Sequence, residues 1–402
     1  MIADYCIVGG GIAGTTAAEQ IRKLDQNASI VLFDREPFPL YSRVLIPHYL
    51  KNKIPRAKVF LRTIADYERQ NISLYTGAEI TKHDPVRHEL SIRWGDGDEI
   101  CTYKKLLIAS GGLPKEAPAA FSTHQEIPLL RMQTLEDADH IKESIDGIAQ
   151  KDALVVGEGF IGMEFIETFA AHGFRMKVLC RNEVFLEERL GPVGGFIIED
   201  ALQKHGVEFL RRVDEGKLET MMFTEKEGST HYPSVIGMGI GIERTLKPFE
   251  GVEKKRGIVV NQYLRTSDPD IFAAGDVAEY YDELNDAYAL NGNWNGAFLQ
   301  GVTVAKNMVH AAHNEDKLVA FSAVPIYSIV HFGFNIMVIG DMTHTDDIWE
   351  RVGSVYEPFL VRIGLRNGIV VGATLINRSQ IQTTIVNFIK EKATKHVLET
   401  AI

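Results

Sequence analysis

The sequence predicts an α/β protein with two parallel-sheet domains followed by a C-terminal α+β domain. Strand-like and helix-like segments alternate through the first two thirds of the 402 residues, as they do where helices cover parallel sheets. Glycine-rich turns at 9–14 and 157–162 each follow an apolar strand and precede a helix. After about residue 315 the pattern changes to short alternating strands and an amphipathic helix from about Gln380, which indicates antiparallel pairing.

The length of 402 residues suggests two to three domains. The content of 45% hydrophobic and 24% charged residues is that of a globular protein. A formal net charge of −11 argues against a nucleic-acid partner or an anionic membrane surface, which both require basic surfaces. No apolar run approaches the roughly 18–20 residues of a membrane-spanning helix. We therefore expect a soluble, cytoplasmic protein without a membrane span.

The three cysteines, Cys6, Cys101 and Cys180, lie far apart in apolar, strand-like runs. They form no CxxC or CxxxxC pair, so neither a local dithiol centre nor a zinc site is expected. We expect three buried thiols and no metal.

Two shorter patterns predict antiparallel pairing. Residues 80–103 alternate polar and apolar side chains around Gly95 and Gly97, which indicates a β-meander. Arg-Asn-Gly at 366–368 is a hairpin signal, because Asn and Gly tolerate the positive φ that a tight turn requires.

The first glycine turn reads GxGxxG and has the features of a Rossmann-type dinucleotide site. Gly9 permits the tight turn, Gly11 lets a pyrophosphate approach the backbone, and Gly14 lets the helix pack on the strand. Free N–H groups at the helix start then face the phosphates. About 20 residues beyond Gly14, Asp34 ends the next strand, where an acid accepts hydrogen bonds from ribose hydroxyls. The predicted contacts are Gly9, Gly11, Ile12, Ala13, Gly14, Asp34 and Arg35.

The second turn repeats this pattern but lacks the acid. Cys180 stands where the ribose-binding carboxylate is expected, and Arg181 follows it. Because a cation suits a 2′-phosphate better than a 2′-hydroxyl, the sequence favours NADPH, with Arg181 as the phosphate contact and Arg189 as a second. The alternative, a solvated Arg181 and NADH held through other contacts, stays open. The predicted contacts are Gly157, Gly159, Phe160, Ile161, Gly162 and Arg181.

A third motif, "IFAAGDVA", is predicted to end a strand at Gly275-Asp276. A carboxylate there, beside the start of a helix, can hold a ribityl hydroxyl while the helix dipole faces a pyrophosphate. Taken alone, the segment is also explained as a turn and helix cap.

With "LLIASGGLP" at 106–114, these motifs resemble the FAD-dependent pyridine nucleotide–disulfide oxidoreductase superfamily, in the right order along the whole chain. The resemblance implies two glutathione-reductase-type nucleotide-binding domains: an FAD domain at 1–112 and 235–315, and an NAD(P) domain at 113–234. It assigns 316–402 to a C-terminal α+β interface domain, and it leaves a homodimer or a monomer open. It adds Ser110, Gly111, Gly275, Asp276 and Trp294, at the start of a family-like helix, to the cofactor contacts.

The segment Glu36–Leu50 resembles the Tyr-x-Arg-x-x-Leu-Ser region of rubredoxin, ferredoxin and nitrite reductases, here Tyr41-Ser42-Arg43 with Pro47 in place of the serine. Disulfide reductases of the superfamily carry a redox cysteine in this region, and this chain has none between Cys6 and Cys101. The resemblance gives Arg43 a contact with the FAD pyrophosphate or a place over the flavin.

The resemblance also implies the chemistry: hydride passes from the nicotinamide to flavin N5, and electrons then leave for an acceptor. Phe160 matches an aromatic residue that covers the flavin, and Glu164 an acid near the flavin–nicotinamide contact. In ferredoxin reductases that acid pairs with a lysine, which His48 replaces here, so a Glu164–His48 pair with a raised histidine pKa is expected. The alternative is that both residues are merely solvated.

Three functions follow from the resemblance. The first is an FAD-dependent NAD(P)H:acceptor oxidoreductase that serves rubredoxin or ferredoxin, for which Lys51–Lys58 offers a candidate basic patch. The second is an NAD(P)H oxidase with oxygen or a quinone as the acceptor. The third is a flavin-bound signalling or binding protein of the apoptosis-inducing-factor type.

Overall fold

The computed structural model describes residues 1–122, 124, 126–212, 218–290, 292–313, 317–354 and 356–401. The chain forms two compact units. The first contains Met1–Val44, Arg56–Leu113 and Glu243–Pro325; the second contains Leu45–Pro55, Pro114–Ile242 and Ile326–Ile402. The assignment of an FAD domain, an NAD(P) domain and an interface domain stays a prediction.

The strands from the first half of the chain are β1 (Ile2–Val8), β2 (Ile30–Asp34), β3 (Ile72–Thr76), β4 (Glu79–Asp84), β5 (Glu89–Trp94), β6 (Gly97–Ile108), β7 (Gly112–Pro114), β8 (Leu129–Leu130), β9 (Asp152–Val156), β10 (Arg175–Cys180), β11 (Val207–Arg211) and β12 (Phe223–Thr224). The later strands are β13 (Thr230–His231), β14 (Val235–Met238), β15 (Ile242–Arg244), β16 (Ile258–Val260), β17 (Ile271–Ala273), β18 (Ala278–Asp282), β19 (Ala287–Leu290), β20 (Ile326–His331), β21 (Phe334–Gly340), β22 (Asp347–Val352), β23 (Leu360–Arg366) and β24 (Ile369–Ile376).

The α-helices are α1 (Ile12–Leu24), α2 (Ile46–Leu50), α3 (Ile64–Arg69), α4 (Ala119–Ser122), α5 (Leu135–Asp146), α6 (Phe160–Ala171), α7 (Glu187–Lys204), α8 (Trp294–His313), α9 (Gln382–Lys390) and α10 (Lys395–Ala401). Within the part of the chain that the structure describes, no helix combines the length and apolar character that a bilayer crossing requires.

The main sheet of the first unit has the order β3-β2-β1-β6-β5-β4, and β17 pairs with β6. Strands β1, β2, β3, β6 and β17 pair in parallel, whereas β4, β5 and β6 pair antiparallel. The predicted meander at 80–103 is thereby confirmed, and its last strand continues as a central strand of the parallel sheet. Such a strand is covered on both faces, which explains the apolar runs Cys6–Val8 and Leu106–Ile108.

The second unit contains two five-stranded sheets. One is parallel, with the order β11-β10-β9-β14-β8, and the other is antiparallel, with the order β20-β21-β24-β23-β22. The hairpin predicted at 366–368 joins β23 to β24, with φ of 51° at Asn367 and 73° at Gly368. The predicted amphipathic helix is α9, which buries Ile385, Phe388 and Ile389. The α/β prediction is confirmed.

All three cysteines are buried and free, as expected. Cys6 lies on β1 and Cys101 on β6 of the main sheet of the first unit, and Cys180 lies at the end of β10 in the parallel sheet of the second unit.

Candidate functional site

The turn between β1 and α1 can be built only from glycine at two positions. Gly9 has a φ of +109°, and a Cβ there would lie 2.2 Å from the carbonyl oxygen of Ala109. A Cβ at Gly14 would lie 1.9 Å from the carbonyl oxygen of Gly9. Gly11 caps α1, and a Cβ there would meet no protein atom within 4 Å. The turn therefore has the close packing and the open backbone that a pyrophosphate requires.

Asp34 faces this turn from the end of β2. A Cβ placed on Gly10 would lie 2.4 Å from Asp34 Oδ2, so the carboxylate lies directly against the second glycine. Burial raises the pKa of Asp34 to about 6, and the charge of Glu36 adds to the effect. The structure thus brings the predicted acid and the predicted turn together.

Arg43 is held by an acid that the sequence analysis did not assign. Its guanidinium forms an ion pair with Glu36 at 2.5 Å and donates to Tyr41 Oη at 3.0 Å. The Tyr41 hydroxyl in turn donates to the other carboxylate oxygen of Glu36 at 2.5 Å. This network fixes Arg43 in the first unit, and its contact with a cofactor stays a prediction. Arg35 is exposed.

The structure corrects the helix expected directly after Gly275-Asp276. Gly275–Val277 is a single 3-10 turn that leads into β18, and the next α-helix begins at Trp294. The aromatic Tyr280 and Tyr281 that follow suit a strand better than a helix, which accounts for the difference.

Asp276 nevertheless lies beside a defined set of contacts. Arg244 Nε donates to the Asp276 carbonyl oxygen at 2.5 Å, and the Gly275 N–H donates to Gln300 of α8 at 2.7 Å. Burial raises the pKa of the Asp276 carboxyl, while the charges of Arg244 and Arg43 oppose this.

The remaining residues expected at this site occupy three places. The Ser110 backbone nitrogen lies 3.0 Å from the Cβ position of Gly9, so the end of β6 adjoins the first turn. Gly111 has a φ of +64°, and Trp294 is the first residue of α8. Ile12 and Ala13 form the first turn of α1.

The second turn, between β9 and α6, repeats the geometry of the first. Gly157 has a φ of +117°, and its Cβ would lie 2.3 Å from the carbonyl oxygen of Gly239. A Cβ at Gly162 would lie 2.1 Å from the carbonyl oxygen of Gly157, whereas one at Gly159 meets no atom within 4 Å. Phe160 and Ile161 open α6. This turn too is shaped for a pyrophosphate.

The strand register places Cys180 at the position that Asp34 holds in the first unit. Val8 pairs with Phe33, the residue before Asp34. Val156, the counterpart of Val8 before the second turn, pairs with Leu179, the residue before Cys180. The second strand end therefore offers no carboxylate of its own.

Phe160 and Arg189, two of the predicted side chains near this turn, both lie beside the aromatic ring of Tyr327. The Phe160 ring lies 6.0 Å from the ring of Tyr327, a residue that the sequence did not place. The Arg189 side chain lies over the same Tyr327 ring, with its guanidinium carbon 5.9 Å from the ring centre. Arg181 is exposed. Phosphate contacts from Arg181 and Arg189 stay predictions.

A cluster of ionisable side chains is buried in the second unit. Glu167, on α6, accepts hydrogen bonds from Lys51 and from His331 Nδ1, the latter at 2.6 Å. The side chains of Lys51, His331 and Glu167 are only 5%, 6% and 17% exposed. Burial raises the pKa of the Glu167 carboxyl, but the two hydrogen bonds outweigh it and lower the value to about 2. We call these residues the Lys51–Glu167–His331 cluster.

The Glu164–His48 pair expected from the sequence is not formed. Among the described residues, no ion pair joins Glu164 to His48. Burial raises the pKa of Glu164 to about 7, with Lys51 as the opposing cation and Glu167 as a further acid. The predicted rise in the pKa of His48 is wrong: partial desolvation, followed by the charges of Lys51 and Lys53, lowers it. The cation next to Glu164 is Lys51, whose burial also removes it from the expected basic surface patch.

Replacing Glu164 with glutamine is expected to flatten the dependence of stability on pH. Because the pKa of Glu164 rises from 4.5 to about 7, the folded protein holds a proton that the unfolded chain releases. Stability should therefore fall as pH rises through this range, by about 2 kcal/mol after allowance for partial exposure. Chemical unfolding of wild type and E164Q at pH 5 and about pH 8, one unit above the pKa, measures the difference. E143Q, at an exposed acid of α5, is the control and should keep the wild-type slope. Equal slopes for wild type and E164Q would contradict the assignment.

Comparisons with known proteins agree with this geometry. The sequence profile of the family described as "Pyridine nucleotide-disulphide oxidoreductase" matches residues 3–308. The nitrite reductase [NAD(P)H] of Bacillus subtilis (strain 168) is 26% identical over 401 residues, which are 96% of this chain and 47% of that protein. The chain thus spans about half the length of that relative.

Two further proteins match over nearly their whole length. The 3-phenylpropionate/cinnamic acid dioxygenase ferredoxin--NAD(+) reductase component of Photorhabdus laumondii is 26% identical over 383 residues, 94% of this chain and 93% of that one. The crystal structure of the covalent putidaredoxin reductase–putidaredoxin complex superposes with a TM-score of 0.85 at 23% identity, over 97% of this chain and 93% of the other. The structural match supports the fold.

Proposed function

This chain belongs to the pyridine nucleotide-disulphide oxidoreductase family, and we propose that it is an FAD-dependent NAD(P)H:acceptor oxidoreductase without a redox-active disulfide. The observation that carries the proposal is the presence of two glycine turns of the same geometry in two separate sheets, of which only the first has an acid at its strand end. Two such turns suit two different dinucleotides, with FAD assigned to the first and a nicotinamide coenzyme to the second.

The residues of the first turn fit FAD. Gly11 leaves the backbone open to a pyrophosphate, Asp34 presents a carboxylate for ribose hydroxyls, and Asp276 offers a second buried carboxyl for the ribityl chain. When bound, FAD would supply the hydride-accepting and electron-releasing chemistry. The protein then has to hold the cofactor, orient the coenzyme and shield both from water.

Two residues are assigned tasks near the reacting atoms. Phe160, at the start of α6, is proposed to cover the flavin when no coenzyme is bound. Glu164, one turn further along, is proposed to exchange a proton close to neutral pH because its pKa is about 7. The Lys51–Glu167–His331 cluster holds this face of α6 in place, so Lys51 and His331 are proposed to be positioning residues.

The proposal leaves no step for a thiol relay. The segment Glu36–Leu50 contains no cysteine. Burial raises the pKa of Cys180 to about 12 and raises that of Cys6 well above its ordinary value. A thiolate is the reactive form of cysteine, so these buried thiols are poor candidates for exchange chemistry.

A small iron protein of the ferredoxin or rubredoxin type is the proposed acceptor. Its support is the relative named as a ferredoxin--NAD(+) reductase component, which matches nearly end to end. The choice between NADH and NADPH, the expected cytoplasmic location and a homodimer built by 316–402 stay predictions.

Anaerobic stopped-flow spectroscopy tests the proposal. We expect rapid bleaching of the flavin by NADH or NADPH, followed by reoxidation that is faster with ferredoxin or rubredoxin than with oxygen or a quinone. Faster reoxidation by oxygen or a quinone would instead identify an oxidase. Slow reduction that ends in a persistent charge-transfer complex would favour a flavin-bound signalling protein.

A further inference from the structure

We propose that Glu158, the second residue of the second glycine turn, replaces the missing acid at the strand end and makes NADH the preferred coenzyme. The inference rests on the proposed function, because it concerns the coenzyme bound at that turn. It reverses the preference for NADPH that Arg181 suggests from the sequence alone.

In each unit an acid lies between the glycine turn and the end of the neighbouring strand, but it comes from the strand in the first unit and from the turn in the second. In the first unit the turn residue is Gly10, and the acid Asp34 reaches it from the strand end. In the second unit the strand end is Cys180, and the residue at the position of Gly10 is Glu158. A carboxylate is thereby present between turn and strand in both units, although it comes from different positions in the sequence.

The contacts of Glu158 fix its carboxylate at this strand end. Its Oε1 accepts hydrogen bonds from the backbone N–H groups of Arg181 and Asn182, each at 3.2 Å. Its Oε2 is shielded from solvent and has no hydrogen-bond partner among the described residues. The charge of Glu158 also contributes, after burial, to the raised pKa of Cys180, as expected for a carboxylate close to the thiol. A carboxylate oxygen without a hydrogen-bond partner therefore lies at the position that Asp34, the predicted ribose-binding acid, holds in the first unit.

The two cations near this strand end are either paired with another acid or exposed to water. Arg211, which pairs with Cys180 in the sheet register, forms an ion pair with the buried Glu199. The side chain of Arg181 is exposed, where its charge is screened by water. The charges of Glu188 and Arg181 act on the pKa of Glu158 in opposite directions, and the effect of Glu188, which raises it, is the larger.

This arrangement discriminates between the two coenzymes. A ribose 2′-hydroxyl can donate a hydrogen bond to the Glu158 carboxylate. A 2′-phosphate has no proton to donate when fully ionised, and it adds about −1.5 to −2 charge beside a carboxylate. Repulsion of the wrong ligand is an effective source of specificity.

Calorimetric titration of the flavin-loaded protein with ADP-ribose and with 2′-phospho-ADP-ribose tests the proposal without turnover. We expect the wild type to bind ADP-ribose at least about tenfold more tightly, equivalent to about 1.4 kcal/mol. E158Q keeps the shape of the side chain and removes its charge. It should lower the ratio of the two dissociation constants, 2′-phospho-ADP-ribose to ADP-ribose, by about tenfold. E183Q is the matched control and should leave this selectivity unchanged, because Glu183 is an exposed acid in the neighbouring loop that contains Arg181 and Asn182.

A wild type that binds the 2′-phosphate form equally well or better would overturn the inference while leaving the proposed function intact. An unchanged ratio in E158Q would do the same; if E158Q does not fold, E158S makes the comparison. If neither fragment binds, the second turn is not a nucleotide site, and both the inference and the proposed function fail.

Discussion

Replacing Gly11 with alanine is expected to leave the fold intact and to weaken FAD binding by at least about tenfold, or about 1.4 kcal/mol. Gly11 has an extended backbone with a φ of −65°, and a Cβ there would meet no protein atom within 4 Å. The added methyl group therefore costs the protein little by itself. It would occupy the space through which a pyrophosphate has to approach the backbone of the turn. Flavin content after reconstitution and the unfolding midpoint of the flavin-free protein measure the two effects separately.

The second turn supplies the matched control for this prediction. Gly159 has the same open surroundings, so G159A should retain FAD and bind the nicotinamide coenzyme more weakly. G14A should behave differently from both, because its Cβ would lie 1.9 Å from the carbonyl oxygen of Gly9 and would destabilise the fold itself. Wild-type FAD affinity in G11A would show that the first turn does not contact the cofactor.

Replacing Glu167 with glutamine is expected to lower the free energy of unfolding by about 3 kcal/mol. Glu167 is the acid that accepts hydrogen bonds from both Lys51 and His331, and the Lys51 side chain is only 5% exposed. Glutamine removes the carboxylate that Lys51 and His331 contact. The buried ammonium group of Lys51 is then left with Glu164, whose pKa is about 7, as the nearby acid. Urea unfolding at neutral pH, at equal flavin occupancy, measures the loss.

The pH dependence of stability gives an independent check on the same cluster. The pKa of Glu167 falls from 4.5 to about 2, so its contribution to stability is complete above 4.5 and is lost as the pH falls towards 2. E167Q should lack this acid-dependent loss. The double variant K51M/E167L, which replaces the charged pair with apolar side chains, should recover much of the stability. A change below about 0.5 kcal/mol in E167Q would contradict a structural role for the pair.

Much of the fold and the outline of both turns could be predicted from local sequence. GxGxxG with a flanking apolar strand specifies its own backbone, because a Cβ at Gly9, Gly14, Gly157 or Gly162 would collide with main-chain atoms. The equivalence of Cys180 and Asp34, as the residues that end the second strand of each unit, also follows from counting along the sequence, and the strand register agrees. The hairpin at Asn367-Gly368 required only a local preference for positive φ.

The parts that could not be predicted depend on residues far apart in the chain. Glu167 binds a histidine that follows it by 164 residues, and no periodicity connects the two. The sequence predicts Lys51 to be a surface charge, because a sequence does not reveal that the side chain is buried beside Glu167 of α6. Glu158 is visible in the sequence of the second motif. Its position beside the strand end is shown only by the hydrogen bonds that its carboxylate accepts from the backbone N–H groups of Arg181 and Asn182. A carboxylate at the second position of such a turn is therefore a signal that sequence reasoning can use.

In the proposed reaction, electrons pass from the coenzyme to the flavin and onward without a protein thiol. Anaerobic titration of the flavin-loaded protein with the reduced coenzyme tests it most directly, because the end point counts the electron-accepting groups. A hydride carries two electrons, so we predict complete reduction of the flavin at about one equivalent of coenzyme per FAD. An end point at about two equivalents would reveal a redox-active disulfide that takes up a second pair of electrons and would contradict this account.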